Sequence, residues 1–225
     1  MAKLFLLRHI KSKWNEENRF AGWTDGPLAR NEIYKAKEIA EKIFQFKIDK
    51  IYSSSLFRNE DTIARIFECD DKKYPLFIHL DKGKMKDWGH FIDISTDDVP
   101  VFVTESLNEK YYGDLQGENK EKIMEKYGKE KVHLWRRSYK IAPPGGESMA
   151  DVYKRTNIFY RKYIEKDLKL DKNVLIVASH NSLRSIIKYI EKISNHDIIN
   201  LEIPYGGLIE YEFNDALMIK NKREL

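Results

Sequence analysis

The sequence predicts an α/β protein built as three layers, α/β/α, around a mainly parallel central sheet. Three observations carry that prediction. Short all-apolar runs, Leu4-Phe5-Leu6-Leu7 and Val174-Leu175-Ile176-Val177-Ala178, read as strands buried on both faces. Segments of helical periodicity alternate with them. Two of the apolar runs end in polar turns that carry a histidine, Arg8-His9 and Ser179-His180, at the strand edge where open α/β sheets hold their ligands.

In chain order, the strand at 4–7 is followed by a loop rich in Trp, Asn and Gly from Trp14 to Pro27. A helix over 29–46 comes next, with Ile33, Ala36, Ala40, Ile43 and Phe44 on one face and Lys and Glu on a solvated face. Ile48 to Ser53 reads as the second strand. Arg58 opens a second helix, whose Ile63, Ile66 and Phe67 face inward while Asp61 and Arg65, one turn apart, face water. Cys69 ends that helix as a packing residue. Residues 70–98 are charged, with scattered aromatics and two glycines, and form no clear element, so they read as an insertion in one domain spanning 1–225. Val101-Phe102-Val103 is the third strand, with Glu109 beyond it. A helix from about Asn119 to Tyr127 stops at Gly128, a C-cap signal. The polar-aromatic stretch Trp135-Arg136-Arg137-Ser138-Tyr139 leads to the breaker cluster Pro143-Pro144-Gly145-Gly146, and Glu147-Ser148 open the next helix. After the strand at 174–178 a helix runs through Ile186, Ile187 and Ile190. Leu208 to Phe213 is the last strand, and the charged tail beyond it is expected to fray.

Composition narrows the classes. The 225 residues are 42% hydrophobic and 34% charged, ordinary for a soluble domain, and 40 basic against 36 acidic residues leave a net charge of only +4. No basic stripe is present, and aromatics at 12% are spread along the chain, which argues against a nucleic-acid partner. A lone cysteine rules out an internal disulfide and fits a reducing compartment. The apolar start is too short for a signal peptide, and no later run approaches the roughly 20 residues of a membrane span, so a cytoplasmic protein without a membrane partner is expected. His79, His90, His133 and His196 show no metal-ligand spacing, and no metal is expected.

Two strand-end histidines, Arg8, Arg58, the pair Arg136-Arg137 and Glu109 gather at one sheet edge, and that set suits phosphoryl chemistry. A neutral imidazole attacks phosphorus when its other nitrogen is held by a hydrogen bond. Guanidinium forks match phosphate oxygens in pairs. A nearby carboxyl group moves the proton of the substrate hydroxyl, work typically contributing about 10²–10⁴-fold in rate. A metal is not required where cationic donors are already arranged around the transferring group.

The motifs Leu7-Arg8-His9, Trp14-Asn15, Asn18-Arg19-Phe20, Gly22-Trp23-Thr24-Asp25, Leu107-Asn108-Glu109, Tyr112-Gly113, Leu115-Gln116-Gly117, Asn119-Lys120, Trp135-Arg136-Arg137-Ser138-Tyr139 and Asn181-Ser182-Leu183-Arg184 resemble the cofactor-dependent phosphoglycerate mutases of the histidine phosphatase superfamily. The resemblance covers nearly the whole chain apart from 70–98 and implies a phosphoglycerate mutase-like fold. It implies interconversion of 3-phosphoglycerate and 2-phosphoglycerate through a phosphohistidine, primed by 2,3-bisphosphoglycerate, on a small phosphorylated carboxylic acid substrate, in a protein that is often a homo-oligomer. By that resemblance His9 is the nucleophile and Glu109 the proton donor and acceptor. Arg8, Ser12, Asn15, Ala21, Gly22, Arg58, Lys110, Tyr112, Lys120, Arg136, Arg137 and Asn181 hold phosphate and carboxylate. The remaining catalytic position is filled by His180, or by Ser179, which stands at the family's histidine position.

Departures from the family pattern cluster beside these residues. Ile10-Lys11 replaces glycine-glutamate after His9, which predicts a different pocket floor; Ala21 replaces threonine, Asn59 alanine, and Lys110-Tyr111 arginine-histidine. Strand side chains alternate faces, so the one-residue shift at 179–180 turns the imidazole away unless a bulge re-aims it. Two further readings therefore stand beside the mutase: a phosphatase for another small phosphate ester, and a degenerate member that keeps the fold and turns over slowly or not at all.

Overall fold

Strands and helices alternate along the chain as their periodicities predict, and in the computed structural model, which describes residues 2–70, 73–88 and 95–225, they form one seven-stranded sheet. The strands are β1 (Lys3–Arg8), β2 (Lys50–Ser54), β3 (Tyr74–His79), β4 (Asp98–Thr104), β5 (Val174–Ala178), β6 (Leu208–Phe213) and β7 (Ile219–Glu224). The helices are α1 (Lys13–Glu16), α2 (Lys35–Ile43), α3 (Phe57–Phe67), α4 (Lys84–Trp88), α5 (Lys120–Tyr127), α6 (Lys129–Arg137), α7 (Met149–Phe159), α8 (Glu165–Lys169) and α9 (His180–Glu191). The spatial order is β3-β4-β2-β5-β1-β6-β7; β3 to β1 pair in parallel, and β6 and β7 are antiparallel.

Alternation along the central strands divides the core into two layers. Leu4 and Leu6 of β1 join Val174, Ile176 and Ala178 of β5 and pack against Leu183, Ile186 and Ile187 of α9 and Phe159 of α7. Phe5 and Leu7 join Leu175 and Val177 on the opposite face, under Ala36, Ile39, Ala40 and Ile43 of α2 and Ile63 and Ile66 of α3. Burial of each such aliphatic side chain contributes about 1.5–3 kcal/mol before entropy is counted. A third, smaller cluster of Phe20, Leu115, Ile123, Val132 and Trp135 seats α5 and α6 beyond the sheet edge. Among the described residues, no helix is long and apolar enough to cross a membrane.

Register sets the site. Arg8 lies opposite Ala178, Ser53 opposite Val177 and Ser54 opposite Thr104, so four parallel strands end level and send their following loops to one rim.

Five expectations are corrected. Within 70–98, residues 74–79 form β3, a half-buried edge strand, and 84–88 form α4; an edge strand with one face packed and a proline second in line gives no clean apolar run. His90 lies outside the described residues. The tail does not fray but forms β7, exposed throughout and held to β6 by backbone pairing that leaves no hydrophobic signal. The stretch at 135–137 is the end of helix α6, in which only Val132 and Trp135 are buried. The helix expected over 29–46 is a 3₁₀ turn at Arg30–Glu32 followed by α2, and Cys69 is exposed rather than packed.

Candidate active site

β1 delivers Arg8 and His9 to the rim. The His9 amide donates to the Ala178 carbonyl of β5 at 3.2 Å, continuing the parallel ladder one residue past the strand. Its ring Nδ1 is 2.6 Å from the Ile10 carbonyl oxygen, an acceptor only, so Nδ1 carries the proton and Nε2 the lone pair. Arg58 Nε donates to that Nε2 at 3.2 Å. Burial, then Arg58 and Arg8, push the His9 pKa well below its ordinary 6.5, so the ring is neutral at pH 7.

Arg58 comes from the first turn of α3 and is itself buried. Its Nη2 donates to the Gly22 carbonyl at 2.8 Å and the Ser179 hydroxyl at 3.3 Å, and its Nη1 to the Thr24 carbonyl at 3.1 Å. Gly22 is a glycine for two reasons: its φ is +50°, and a Cβ there would meet Gln116 Oε1 at 2.1 Å.

Glu109 follows β4 on a loop tied to β2, where the Asn108 side-chain oxygen accepts from the Ser55 amide and hydroxyl at 3.0 Å each. The Glu109 carbonyl accepts from Arg155 at 2.8 Å and Trp23 Nε1 at 2.5 Å. Its carboxylate accepts from the Lys110 amide at 2.6 Å and from Asn181, by side chain at 2.7 Å and by backbone amide at 3.3 Å. Burial works against the charge, yet His180, the Lys110 amide, Arg58 and Asn181 outweigh it and hold the carboxyl below its ordinary range. Asn181 lies in the first turn of α9, where a helix amino terminus favours an anion.

The shifted pair at 179–180 resolves by a change of element. Ser179 is the N-cap residue and His180 the first residue of α9, so the two leave the strand's alternation together. The Ser179 hydroxyl accepts from Arg58 and, at 3.3 Å, from Asn59, while His180 lines the same cavity as His9. Burial pushes the His180 pKa down to about 4, against the pull of Glu202.

The cavity measures about 270 Å³. It is lined by Arg8, His9, Asn15, Ala21 and Gly22 from the amino-terminal segments, by Arg58, Glu109 and Tyr112, by Lys120 of α5 and Arg136 and Arg137 of α6, and by His180 and Asn181. Burial and the neighbouring arginines bring Lys120 down to about 8, and burial lifts the Tyr112 phenol to about 12.

Two expected ligand-binding residues are elsewhere. Ser12 caps α1, its hydroxyl and amide engaged with Asn15, and it does not line the cavity. Lys110 is buried beneath the site, its Nζ donating to the Trp135 carbonyl; burial drives its pKa to about 7. The expected change in the pocket floor is also corrected. Ile10 turns into the α2–α3 core and Lys11 faces Glu32 at 3.9 Å, so neither lines the cavity.

Sequence reasoning missed Glu202 and Tyr205, which wall the cavity from the turn before β6, and gave Arg19 and Phe20 no site role. The Tyr205 ring lies 3.6 Å from the Arg8 guanidinium carbon. The only available signal was the cluster Pro204-Tyr205-Gly206-Gly207 before a strand. Among the described residues, no group of three or more His, Cys, Asp or Glu is arranged to hold a metal ion.

The chain matches the histidine phosphatase superfamily (branch 1) over residues 4–83 and 92–219, leaving 84–91 outside the match. It is 42% identical over 216 residues to a 2,3-bisphosphoglycerate-dependent phosphoglycerate mutase of Methanococcus vannielii, covering 96% of this chain and 92% of that one. It is 44% identical over 212 residues to the enzyme of the same name from Chlamydia caviae, with 94% and 93% covered. A mycobacterial glucosyl-3-phosphoglycerate phosphatase shares the fold at 21% identity, with a TM-score of 0.72 over 99% of this chain and 96% of that one. The chain belongs to the histidine phosphatase superfamily, and within it to the 2,3-bisphosphoglycerate-dependent phosphoglycerate mutases.

Proposed function

We propose that this protein interconverts 3-phosphoglycerate and 2-phosphoglycerate, with His9 accepting and returning the phosphoryl group and Glu109 moving the proton of the acceptor hydroxyl. The observation that carries the assignment of roles is the state of His9: a neutral ring with Nδ1–H donated at 2.6 Å and its Nε2 lone pair 3.2 Å from a buried guanidinium. When phosphorus bonds to Nε2, the Arg58 Nε–H gives up that lone pair and turns to the transferring oxygens beside it, whose charge it then stabilises. Glu109 is ionised and fixed by Asn181 and the Lys110 amide, which suits it to take the proton of a substrate hydroxyl and return it.

Arg8, Lys120, Arg136 and Arg137 supply charge for a second acidic group, and this cationic cavity of about 270 Å³ fits a ligand with phosphate at one end and carboxylate or phosphate at the other. The same residues would hold 2,3-bisphosphoglycerate, which when bound supplies the priming phosphoryl group. A cytoplasmic location and a homo-oligomeric assembly belong to the same proposal. The substitutions at Ile10 and Lys11, which favoured a degenerate member, lie off the cavity and leave its lining intact.

The test is a coupled assay with 3-phosphoglycerate and catalytic 2,3-bisphosphoglycerate, beside mass spectrometry of His9. Turnover with a phosphate mass on the peptide holding His9, both lost in His9→Ala, is expected. A rate equal to that of His9→Ala would leave the chain a non-catalytic member of its family.

A further inference from the structure

The cavity holds one carboxylate for which the mutase reading has no task. Glu202 lies in the irregular segment before β6, with Oε1 2.6 Å from Arg137 Nη2 and Oε2 3.1 Å from His180 Nε2. The two partners are held: the Arg137 side chain is 18% exposed and that of His180 8%. The Glu202 side chain is 57% exposed, so the carboxylate is the member free to swing out. Glu109, the other acidic side chain in the cavity, is buried and tied to Lys110 and Asn181, and cannot play that part.

Glu202 therefore offers Arg137 the same chemical group that a phosphorylated carboxylic acid would bring. Six cationic side chains line the cavity, and in the free protein their mutual repulsion is partly offset by this one mobile anion. A ligand anion arriving at Arg137 meets a guanidinium already engaged. It gains only the difference between its own contact and the one it displaces.

We propose that Glu202 is a built-in competitor for the carboxylate end of the site, a specificity-determining residue that occupies Arg137 and His180 until an acidic group of the ligand takes Arg137 from it. The proposal rests on the mutase reading for the identity of that ligand. It predicts selectivity as well as weakening. A two-ended anion must evict Glu202, whereas inorganic phosphate bound beside His9 and Arg58 leaves it in place.

The experiment is equilibrium calorimetry with phosphoglycolate, which carries phosphate and carboxylate but no hydroxyl to receive a phosphoryl group, and separately with inorganic phosphate. Glu202→Gln and Glu202→Ala are expected to bind phosphoglycolate about two- to fivefold more tightly than the parent, the range of a half-exposed ion pair. The gain is expected to be smaller for phosphate and to vanish when Arg137 is already Gln. Unchanged or weaker phosphoglycolate binding in both variants overturns the proposal, as does an equal gain in the Arg137→Gln background, which would mean that Glu202 acts only through its general field. These outcomes are separable from the underlying reading. Phosphorylation of His9 without tightening removes the competitor alone, and tightening without phosphorylation of His9 removes the mutase alone.

Discussion

A histidine serves as a nucleophile at neutral pH only if it is unprotonated and presents the correct nitrogen, and here both conditions come from neighbours. The Ile10 carbonyl selects the tautomer, while burial, Arg58 and Arg8 keep the ring neutral. His180 is likewise unprotonated, its pKa lowered by burial to about 4, and this has a consequence for stability. The unfolded imidazole titrates near 6.5 and the folded one near 4, so between those values the unfolded chain binds the extra proton. Stability present above 6.5 is then lost as pH falls toward 4. His180→Asn removes that linkage. The parent is expected to lose stability relative to the variant by about 1.4 kcal/mol per pH unit across the window, measured by urea unfolding at several pH values. Glu60, raised to about 7 by burial and Asp25, acts with the opposite sign in the same range, which is why the difference between the two proteins is the informative quantity. A difference that does not vary with pH would show that His180 is not buried as a neutral ring.

Elements differed in how much of themselves the sequence exposed. β1, β2, β5 and α3 were legible because one periodicity governs each: continuous burial for the central strands and a 3.6-residue stripe for the helix. β3 and β7 were not, since an edge strand is held by backbone pairing that any side chain permits, and all of Ile219–Glu224 is exposed. α6 escaped notice because two apolar residues bury it and its ends are charged. Its placement depends on Lys110, whose buried Nζ donates to the Trp135 carbonyl, one of the last-turn acceptors that a helix cannot satisfy itself. Arg136 and Arg137 follow that carbonyl directly. Lys110→Met leaves the carbonyl unpaired and is expected to cost about 1–3 kcal/mol of stability. In the coupled assay, KM for phosphoglycerate should rise more than kcat falls, because the arginines lose their anchor while His9 and Glu109 keep theirs. A fall in kcat at constant KM would place Lys110 in the chemistry rather than beneath it.

At the scale of the molecule, the site exists only because the fold gathers charges that are far apart in the chain. Arg8 ends β1, Arg58 opens α3, Lys120 opens α5, and Arg136 and Arg137 close α6. Motif words made most of this set legible, whereas Glu202 and Tyr205 lie in a turn whose composition announces a bend and nothing about its neighbours. The same dispersal means that the unfolded chain offers no comparable anion site, so a ligand that spans the cavity binds the folded state alone and stabilises it by mass action. At about one hundred times its dissociation constant, phosphoglycolate is expected to add about 2.7 kcal/mol, a rise in Tm on the order of 5–10 °C for a chain of this length. Sodium chloride at equal ionic strength should give little of that rise, and it should reduce the shift caused by phosphoglycolate by screening the cations. If the two salts shift Tm equally in a thermal melt, these cationic side chains act as a diffuse surface charge. A large shift confined to phosphoglycolate requires them to converge on one ligand.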